Sequence, residues 1–378
     1  SLGSKSSLAK LNVAANQQWQ GRLTHQFVFN GASQTCRYSA RAWQPQNIPG
    51  DALPHSAVPL LLARDVDALT RLYGPLGALL PRALRLLIVA GKGNVLVGGD
   101  YSQIESRLVA WTARIDWKLD AYEQGEDVYV KTASRTYHVA EEAVSSRQRQ
   151  GGKVLDLSCG FQGGHRALLG MARNYGIRYV SDLEPRSQVK AWRAAHPELG
   201  DQHGKGGAWE AFYLAAKAAV AKPNKLVPVD PSKTRGGICY EYVSDRDILF
   251  CRLPSGRRLA YHQPRMVEGR YEYQLEVTTW RYGAWRRYGL YGGYLFQNVI
   301  QAMARDIMVD AMYRAWETGR SPVLTIHDEF ACEVPSYLAG DGQWLREIML
   351  KEYGWMLSSD RRIPLDTQPW VNSRYMKG

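Results

Sequence analysis

The amino-acid sequence predicts an α+β fold, in which helices accompany an antiparallel sheet. Leucines recur at helical spacing over residues 64–90, and an amphipathic helix is predicted from about residue 102 to residue 112. Apolar strands are predicted at residues 95–97, 323–326 and 330–334, the last two around a tight turn, and residues 238–295 alternate polar and apolar side chains as β-hairpins do. With 378 residues, the chain is long enough for two or three lobes.

The remaining segments are read from their local composition. Residues 1–20 are polar and weakly helical, and residues 21–49 look like a β-rich entry that ends in an extended, proline-containing stretch. Residues 120–180 predict a helical lobe, and residues 222–237 a loop. A further helix is predicted from about residue 296 to residue 318.

Charge and cysteine content narrow the class of protein. The chain carries 48 Lys and Arg against 36 Asp and Glu, a net charge of +12, which favours polyanions such as nucleic acid as partners. No apolar run approaches the roughly 18 residues of a membrane span, and no secretory signal is visible. Five cysteines without CxxC spacing indicate free thiols in a reducing cytosol rather than a disulfide framework or zinc site. We therefore expect a cytoplasmic protein, and residues 1–4 resemble a cloning remnant.

Two aspartates are candidates for a metal site. Asp100 ends a short apolar strand, and Asp328 lies at the tip of a predicted β-hairpin. Transfer of a nucleotide needs carboxylates that hold two Mg²⁺ ions about 3.5–4 Å apart. Strand-end aspartates from distant parts of a chain can meet on one sheet, although each Asp alone is more typical of a turn or a helix cap.

A second candidate site lies on a predicted helix between the two aspartates. Arg149, Lys153, Leu157 and Phe161 recur every four residues, so a helix places two cations and then two apolar groups on one stripe. Cations suit the phosphates of a nucleoside triphosphate, and a flat apolar wall suits its base. An ordinary solvated basic helix is the plainer alternative.

These segments resemble three motifs of the polymerase I, or A, family of DNA polymerases. Asp100-Tyr-Ser-Gln-Ile-Glu-Ser-Arg107 matches seven of the eight places of the family's motif A, DYSQIE-x-R. The stretch from Arg147 to Gly163 resembles motif B, and His327-Asp-Glu329 between apolar strands resembles motif C. Gln301-Ala-Met-Ala-Arg-Asp306 resembles the family's palm helix, and Gly31–Pro49 its TGR…LQNIP segment. The resemblance spans roughly residues 20–378 and is nearest to the polymerases of bacterial viruses.

The resemblance implies a right-hand polymerase fold with an antiparallel palm sheet and helical fingers. The palm would comprise residues 21–119 and 290–378, and the fingers, with a β-rich insertion, residues 120–289. Residues 1–20 would be a remnant of the thumb, and no exonuclease domain is expected. Primer–template DNA and dNTPs would be the partners, with a separate chain as one possible source of the thumb or exonuclease.

The resemblance also implies a role for each candidate residue. Asp100, Asp328 and the Tyr101 carbonyl would bind two Mg²⁺ ions. Arg149 and Lys153 would bind the triphosphate, with Lys153 also a candidate to protonate the leaving pyrophosphate. The other expected nucleotide contacts are Gln103, Glu105, Tyr129, Leu157 and Phe161, and the expected DNA contacts are Arg37, Gln46, Asn47, Gln301 and His327.

The sequence departs from the family at several of these places. Leu157 stands where an aromatic residue is frequent, Phe161 where Tyr is frequent, Tyr129 where His is frequent and Cys36 where Gly is usual. Gly151 and Gly152 weaken the helix that carries Lys153, by about 1 kcal/mol each relative to Ala, either to ease a movement of the fingers or to allow close packing.

Two alternative functions fit parts of the pattern. A single-subunit RNA polymerase shares the two aspartates and the lysine helix, and a non-catalytic nucleic-acid-binding remnant would account for the short N-terminal region. Separately, residues 252–287 contain eight Arg and three Glu interleaved with Tyr and Trp, which indicates either a phosphate-tracking surface or a merely soluble β-surface.

Overall fold

The computed structural model describes residues 2–32, 34–48, 52–232, 236–269, 273–281, 283–357 and 359–376. The chain forms two compact units. Unit 1 comprises Ser1–Ser102, Arg305–Lys351 and Asp366–Gly378, and unit 2 comprises Gln103–Ala304 and Glu352–Leu365. The predicted lobe boundaries fell at 119/120 and 289/290, and the names palm and fingers stay predictions. None of the described helices combines the length and the hydropathy that a membrane span requires.

Unit 1 contains a four-stranded sheet and surrounding helices. Its strands are β1 (Phe27–Val28), β2 (Ser39–Ala40), β3 (Asn94–Asp100), β10 (Pro322–Ile326), β11 (Glu329–Pro335) and β12 (Trp370–Asn372). Its helices are α1 (Leu2–Gln17), α2 (Ala57–Ala63), α3 (Val66–Tyr73), α4 (Leu76–Ala83), α13 (Ser336–Ala339) and α14 (Gln343–Leu350), with 3-10 turns at Pro45–Asn47 and Leu84–Leu87. Helix α12 (Gly292–Glu317) contributes its residues from Arg305 onward.

The four-stranded sheet has the order β10-β11-β3-β12, and every neighbouring pair is antiparallel. The three strands predicted at residues 95–97, 323–326 and 330–334 are confirmed. The β-rich entry predicted at residues 21–49 is wrong, because β1 and β2 are only two residues long. Asn30, Cys36, Ala42 and Gln44 all have positive φ, which breaks strand geometry repeatedly, and Pro49 of this segment lies outside the described residues.

Two glycines at the end of β3 are required by close packing on both sides of the sheet. A Cβ on Gly98 would lie 2.2 Å from the Trp370 ring, which belongs to the residue opposite on β12. A Cβ on Gly99 would lie 2.7 Å from the sulfur of Met349. Both positions directly precede Asp100, so this packing fixes the backbone from which that carboxylate projects.

Unit 2 contains most of the helices and a six-stranded sheet. The helices are α5 (Ile104–Ala113), α6 (Asp116–Glu123), α7 (Val128–Tyr137), α8 (Ser146–Cys159), α9 (His165–Asn174), α10 (Leu183–Ala194), α11 (Gly207–Ala221) and α15 (Gly354–Leu357), besides the first half of α12 and a 3-10 turn at Glu141–Ala143. The strands are β4 (Val227–Pro228), β5 (Cys239–Val243), β6 (Ile248–Arg252), β7 (Arg258–Glu268), β8 (Tyr273–Arg281) and β9 (Ala284–Gly289). They pair antiparallel in sequence order, so the predicted β-hairpins are confirmed.

We expect Gly98→Ala to lower the free energy of unfolding by about 2–3 kcal/mol, because the added methyl forces Trp370 or the β3 backbone to move. A thermal or denaturant melt of the chain measures this. Gly289→Ala is the matched control, since Gly289 also lies in a strand but a Cβ there would meet nothing within 4 Å. Equal stability of the two variants would contradict the packing account.

Candidate active site

The pairing of β3 with β11 brings Asp100 and Asp328 together. Asp100 is the last residue of β3 and lies opposite Glu329, the first residue of β11. Residues directly opposite in antiparallel strands have Cα atoms about 4.5–5.5 Å apart, and Asp328 immediately precedes Glu329. In addition, the backbone N–H of Tyr101 donates a hydrogen bond of 3.1 Å to the carbonyl of Asp328. The two predicted aspartates therefore share one end of the sheet.

Burial and charge both act on the Asp328 carboxylate. Burial raises its pKa, and the negative charge of Asp100 raises it further, while Arg37 and His327 oppose the shift. Arg37 Nη2 lies 3.1 Å from Asp328 Oδ1, and both side chains are largely shielded from solvent. The raised pKa of Asp328 therefore reflects its burial first, with the neighbouring charges of Arg37 and Asp100 acting in opposite directions.

The loop that carries Arg37 is anchored by Arg305 on α12. Arg305 Nε donates to the Cys36 carbonyl at 3.1 Å, and its Nη2 donates to Asn30 Oδ1 at 2.8 Å. Cys36 has φ +59°, a region that glycine adopts at lower cost, which accounts for the glycine that is usual at this place. Arg305 therefore positions Arg37 through the backbone of its neighbour.

The turn of motif C also touches the segment Gln46–Ile48. His327 has φ +54° and is exposed, and its Nε2 lies 3.1 Å from the carbonyl of Gln46. The Gln46 side chain donates to the carbonyl of Tyr38 at 3.2 Å, and the Asn47 side chain donates to Gln44 Oε1 at 2.8 Å. Three of the five predicted DNA contacts, His327, Gln46 and Asn47, thus lie on two adjacent turns of unit 1.

Glu329, a residue to which the sequence assigned no role, fixes the base of the turn. Its side chain is buried, and it accepts hydrogen bonds from Trp370 Nε1 at 3.0 Å and from the Tyr375 hydroxyl at 2.7 Å. Arg85 donates to the same hydroxyl at 3.1 Å and lies over the Tyr375 ring. The buried carboxylate is therefore satisfied from β12 and the C-terminal segment, and it ties these to the strand that follows Asp328.

Tyr101 lies between Asp100 and the start of α5, and its side chain is buried. Its hydroxyl donates to the carbonyl of Met349 at 2.8 Å, and burial raises its pKa strongly. The side chain is thus a structural anchor, which leaves only the main chain of Tyr101 for the predicted role in metal binding.

The donor set of Asp100 and Asp328 suits a hard divalent cation. Both offer carboxylate oxygens, which Mg²⁺ prefers as ligands. The two negative charges repel each other, and a bound cation would remove that repulsion. Within the described residues, no group of three or more His, Cys, Asp or Glu could hold a metal ion. A metal at this place would therefore need further ligands from water, main chain or substrate, as Mg²⁺ sites at phosphates commonly have.

In unit 2, α8 begins with a capping box between Ser145 and Gln148 and carries the predicted cations. Arg149 Nε lies 2.5 Å from Asp127 Oδ2, the N-cap residue of α7. The Lys153 ammonium lies over two rings, 5.8 Å from the centre of Tyr129 and 5.1 Å from that of Tyr175. Arg149, Lys153 and Tyr129 are thus brought together, with Asp127 and Tyr175 as partners that sequence reasoning missed.

Of the two apolar residues in the predicted stripe, Leu157 is exposed and Phe161 is packed against other rings. Leu157 is 41% exposed, which is high for a large apolar side chain. Phe161 packs against Phe296 of α12 with ring centroids 6.3 Å apart, and Phe296 packs edge-on against Phe212. Leu157 is therefore open to a ligand, whereas Phe161 links the end of α8 to α12.

The two glycines of α8 serve close packing against α7. A Cβ on Gly151 would lie 2.4 Å from the Tyr137 hydroxyl, and a Cβ on Gly152 would lie 2.6 Å from the carbonyl of Tyr129. The sequence left two explanations for these glycines, a movement of the fingers or close packing. Close packing is confirmed, because no side chain fits between α7 and α8 at either position.

Gln103 and Glu105 lie at the start of α5. Gln103 has φ +53° and occupies the N-cap position, and its Oε1 accepts a hydrogen bond of 3.1 Å from the Tyr122 hydroxyl. The Tyr122 hydroxyl also lies 2.8 Å from Ser106 Oγ, and the Arg107 guanidinium lies over the Tyr122 ring at 4.2 Å. Glu105 lies in the first turn and is partly exposed. Gln301, the remaining predicted DNA contact, is partly buried on α12.

The inner side of α8 is held by a buried polar cluster around Asp156. Lys118 Nζ lies 2.8 Å from Asp156 Oδ2, with both side chains at most 5% exposed, and Trp192 Nε1 donates to Asp156 Oδ1 at 2.9 Å. His196 is fully buried and stacks on Trp192 at 4.1 Å, and its Nδ1 lies 2.8 Å from the carbonyl of Trp192. This cluster fixes α8 to α6 and α10, and burial, followed by the positive charge of Lys118, lowers the pKa of His196.

Comparison with known proteins finds relatives of one family. Residues 4–179 match the model of DNA polymerase family A. A DNA polymerase of Bacillus phage SP02 is 32% identical over 362 residues, which cover 92% of this chain and 52% of the relative. The thermostable DNA polymerase I of Thermus aquaticus is 26% identical over 267 residues, 69% of this chain and 25% of the relative.

A solved structure shows the same fold. The POL domain of Pol1 from M. smegmatis, in complex with DNA primer–template and dNTP, matches with a TM-score of 0.60 and 19% identity, over 98% of this chain and 51% of that one. The resemblance of the chain to DNA polymerase family A is therefore confirmed. The chain spans about half the length of the phage relative and of the solved structure.

The buried histidine predicts a pH dependence of stability. Burial, followed by the charge of Lys118, lowers the pKa of His196 from 6.5 to about 3. The unfolded chain therefore binds a proton that the folded chain excludes, so the stabilisation is complete above pH 6.5 and declines as the pH falls toward 3. From pH 6.5 to 5 we expect this group to lower the free energy of unfolding by up to about 1.4 kcal/mol per pH unit.

Denaturant titrations between pH 7 and pH 5 measure this effect. His196→Gln, which is neutral throughout, should flatten the slope, whereas the exposed control His203→Gln should leave it unchanged. An identical slope in the His196 variant and the wild type would show that the histidine is not excluded from protonation.

Proposed function

We propose that the chain is a template-directed DNA polymerase that adds dNTPs to the 3′-hydroxyl of a primer by two-metal-ion nucleotidyl transfer. The observation that carries this proposal is the juxtaposition of Asp100 and Asp328 at one end of the β3–β11 pair, in a chain that resembles DNA polymerase family A. The chain would form a right-hand fold, with residues 21–119 and 290–378 as the palm and residues 120–289 as the fingers with their β-rich insertion. Primer–template DNA and dNTPs would be its substrates, and a thumb or exonuclease on a separate chain stays a prediction.

The two aspartates would hold two Mg²⁺ ions, with the main-chain carbonyl of Tyr101 as a further ligand. When bound, the ions lower the pKa of the primer hydroxyl and neutralise charge on the phosphates. The protein contributes a rigid support, because Gly98, Gly99 and the Glu329 hydrogen bonds fix the strand ends. Arg37 balances the charge of Asp328, so that this carboxylate is not buried without a cation.

On α8, Arg149 and Lys153 would bind the triphosphate. The ion pair of Arg149 with Asp127 is about two-fifths exposed on each side, and such pairs contribute only about 0–1 kcal/mol. Arg149 can therefore exchange Asp127 for a phosphate at little cost. Lys153 lies within reach of the same ligand and is suited to donate a proton to the leaving pyrophosphate. The exposed Leu157 and the neighbouring Phe161 would form the apolar wall beside the base, with Gln103 and Tyr129 as further contacts.

Contacts with DNA would come from the turns of unit 1 and from α12. His327, Gln46 and Asn47 lie on adjacent turns, and Arg37 sits beside the carboxylates, where a primer end would arrive. Gln301 on α12 would reach the duplex. Glu105, in the first turn of α5 and five residues after Asp100, would lie under the sugar and disfavour a 2′-hydroxyl.

We expect Asp100→Ala and Asp328→Ala each to lower primer extension by about a thousandfold or more, because each removes a ligand on which several kcal/mol of transition-state stabilisation depend. Duplex affinity should change only a fewfold, since it comes mainly from phosphate contacts. Primer-extension rates with Mg²⁺ and a filter-binding assay measure the two quantities. The control Asp67→Ala, an exposed residue of α3, should extend normally, and substantial extension by either site variant would refute the two-metal proposal.

We expect Glu105→Ala to narrow the preference for dNTPs over rNTPs by about tenfold or more, mainly through better use of rNTPs. A 2′-hydroxyl buried against Glu105 without a partner costs about 1–3 kcal/mol, and the substitution removes that cost. Single-nucleotide insertion kinetics with a dNTP and the matching rNTP give the ratio, and Glu142→Ala, on an exposed 3-10 turn, is the control. A wild type that inserts rNTPs as readily as dNTPs would instead indicate an RNA polymerase.

A further inference from the structure

The six-stranded sheet of unit 2 has two chemically different faces. One face carries apolar side chains that are buried, and α11 packs against β5, β6 and β7; these side chains are Tyr240, Leu249, Cys251, Leu259, Tyr261, Leu275 and Val277. The other face, here called the outer face, carries the alternate residues of the same strands. None of the functions proposed above uses it.

Aromatic rings are exposed on the outer face at β7 to β9. Trp280 and Trp285 lie directly opposite each other, and they are 52% and 58% exposed. Their rings meet edge to face at 5.7 Å, and His262 meets Trp285 at the same distance. Burial of two indoles would stabilise the fold, so two tryptophans exposed side by side on a regular strand pair indicate a surface that binds a flat ligand.

Arginines surround these rings. Arg287 lies opposite Thr278 on the same face, and its Nη1 donates to Thr278 at 3.1 Å and to the Gln263 carbonyl at 2.7 Å, which holds the guanidinium in place. On β6 and β7, Arg252 lies directly opposite Arg258, and both are exposed. Like charges directly opposite each other destabilise a sheet, and a bound anion would reverse that effect.

One further ring belongs to the same face. Phe250 lies next to Arg252 and Arg258, and the Arg258 guanidinium covers its ring at 4.6 Å. The outer face therefore combines exposed rings with Arg252, Arg258 and Arg287, of which Arg287 is also paired with Glu276 at 3.4 Å. These cations favour an anionic ligand.

We propose that the outer face of this sheet binds single-stranded DNA, namely the unpaired template strand. Unpaired bases expose their π-faces, which stack on Trp and His, while the phosphates pair with Arg, and this combination is how sheet platforms hold single strands. The choice of DNA and of the template rests on the proposed polymerase function. A protein partner would also use Trp and Arg, but it would not account for the opposed arginines Arg252 and Arg258.

The first test compares Trp280→Ala/Trp285→Ala with the wild-type chain in binding to a fluorescein-labelled 12-nucleotide oligo-dT, measured by anisotropy without Mg²⁺ or dNTP. Each stacked base that is lost weakens binding by about five- to more than a hundredfold, so we expect at least tenfold for the pair. Trp316→Ala is the matched control, because Trp316 is also 58% exposed but lies on α12. Trp280→Tyr/Trp285→Tyr keeps two rings and should retain most of the affinity.

A second pair of substitutions tests the cations and keeps the tryptophans. Arg252→Gln/Arg258→Gln should reduce the slope of log K against log salt by about 1.4, because single strands release about 0.7 counterions per phosphate contact and two contacts are lost. This result does not depend on correct folding of the tryptophan variant. Circular dichroism of each variant establishes that the sheet is intact.

Whether the bound single strand is the template is tested with duplexes that carry an unpaired overhang. A recessed primer–template with a 12-nucleotide template overhang should bind the wild type more tightly than a blunt duplex, and the tryptophan pair should abolish the difference. Preference for a non-template flap would overturn the assignment to the template. Unchanged oligo-dT binding in both double variants, or an equal loss in Trp316→Ala, would overturn the site itself. Asp100→Ala should bind oligo-dT normally, so failure of catalysis and failure of this face are separable.

Discussion

Antiparallel pairing of β3 with β11 is the interaction on which the candidate site depends. Asp100 and Asp328 are 228 residues apart in sequence, and only the register that places Glu329 opposite Asp100 brings them to one strand end. A slip of one residue would turn every side chain of a strand to the opposite face. The backbone hydrogen bond from Tyr101 to Asp328 closes the pairing just beyond the last strand residues.

Buried groups behind the carboxylates hold this register. Gly98 and Gly99 admit Trp370 and Met349 against the backbone, and Trp370 in turn donates to the buried Glu329. Loss of one partner of Glu329 would leave a buried carboxylate short of donors, which costs far more than a surface contact. The residues that support the site are thus more deeply buried than those that would react, and the rigidity of the pair follows from that arrangement.

Each cation of the candidate site has a partner. Arg37 forms an ion pair with Asp328 and is itself positioned by Arg305 through the Cys36 carbonyl. In unit 2, Arg149 forms an ion pair with Asp127, and Lys153 lies over two tyrosine rings. The Arg149 pair is solvent-exposed and weak, so exchange for a phosphate is inexpensive. The buried Lys118–Asp156 pair behind α8 is the opposite case, because its side chains are at most 5% exposed and its disruption would leave a charge in the interior.

The sequence alone predicted the site residues that belong to short contiguous motifs. Asp100, Asp328 and the positions Arg149, Lys153 and Leu157 follow from local pattern, and the strands that carry the two aspartates were predicted to within a few residues. Phe161, predicted on the same helix, lies beyond Cys159, the last residue of α8. Residues 21–49 were predicted wrongly as β-rich, because a run of left-handed backbone positions leaves no signature in hydrophobic periodicity. Glu329, Arg305 and Tyr122 were missed as positioning residues because their partners are distant in sequence, and only tertiary structure brings them together.

The most direct test of the central claim is anomalous diffraction from crystals of the chain with primer–template DNA, a non-hydrolysable dNTP analogue and Mn²⁺ in place of Mg²⁺. We expect two Mn²⁺ peaks about 3.5–4 Å apart, both within ligand distance of Asp100 and Asp328. Peaks elsewhere, or bound nucleotide without a metal at these two carboxylates, would contradict it.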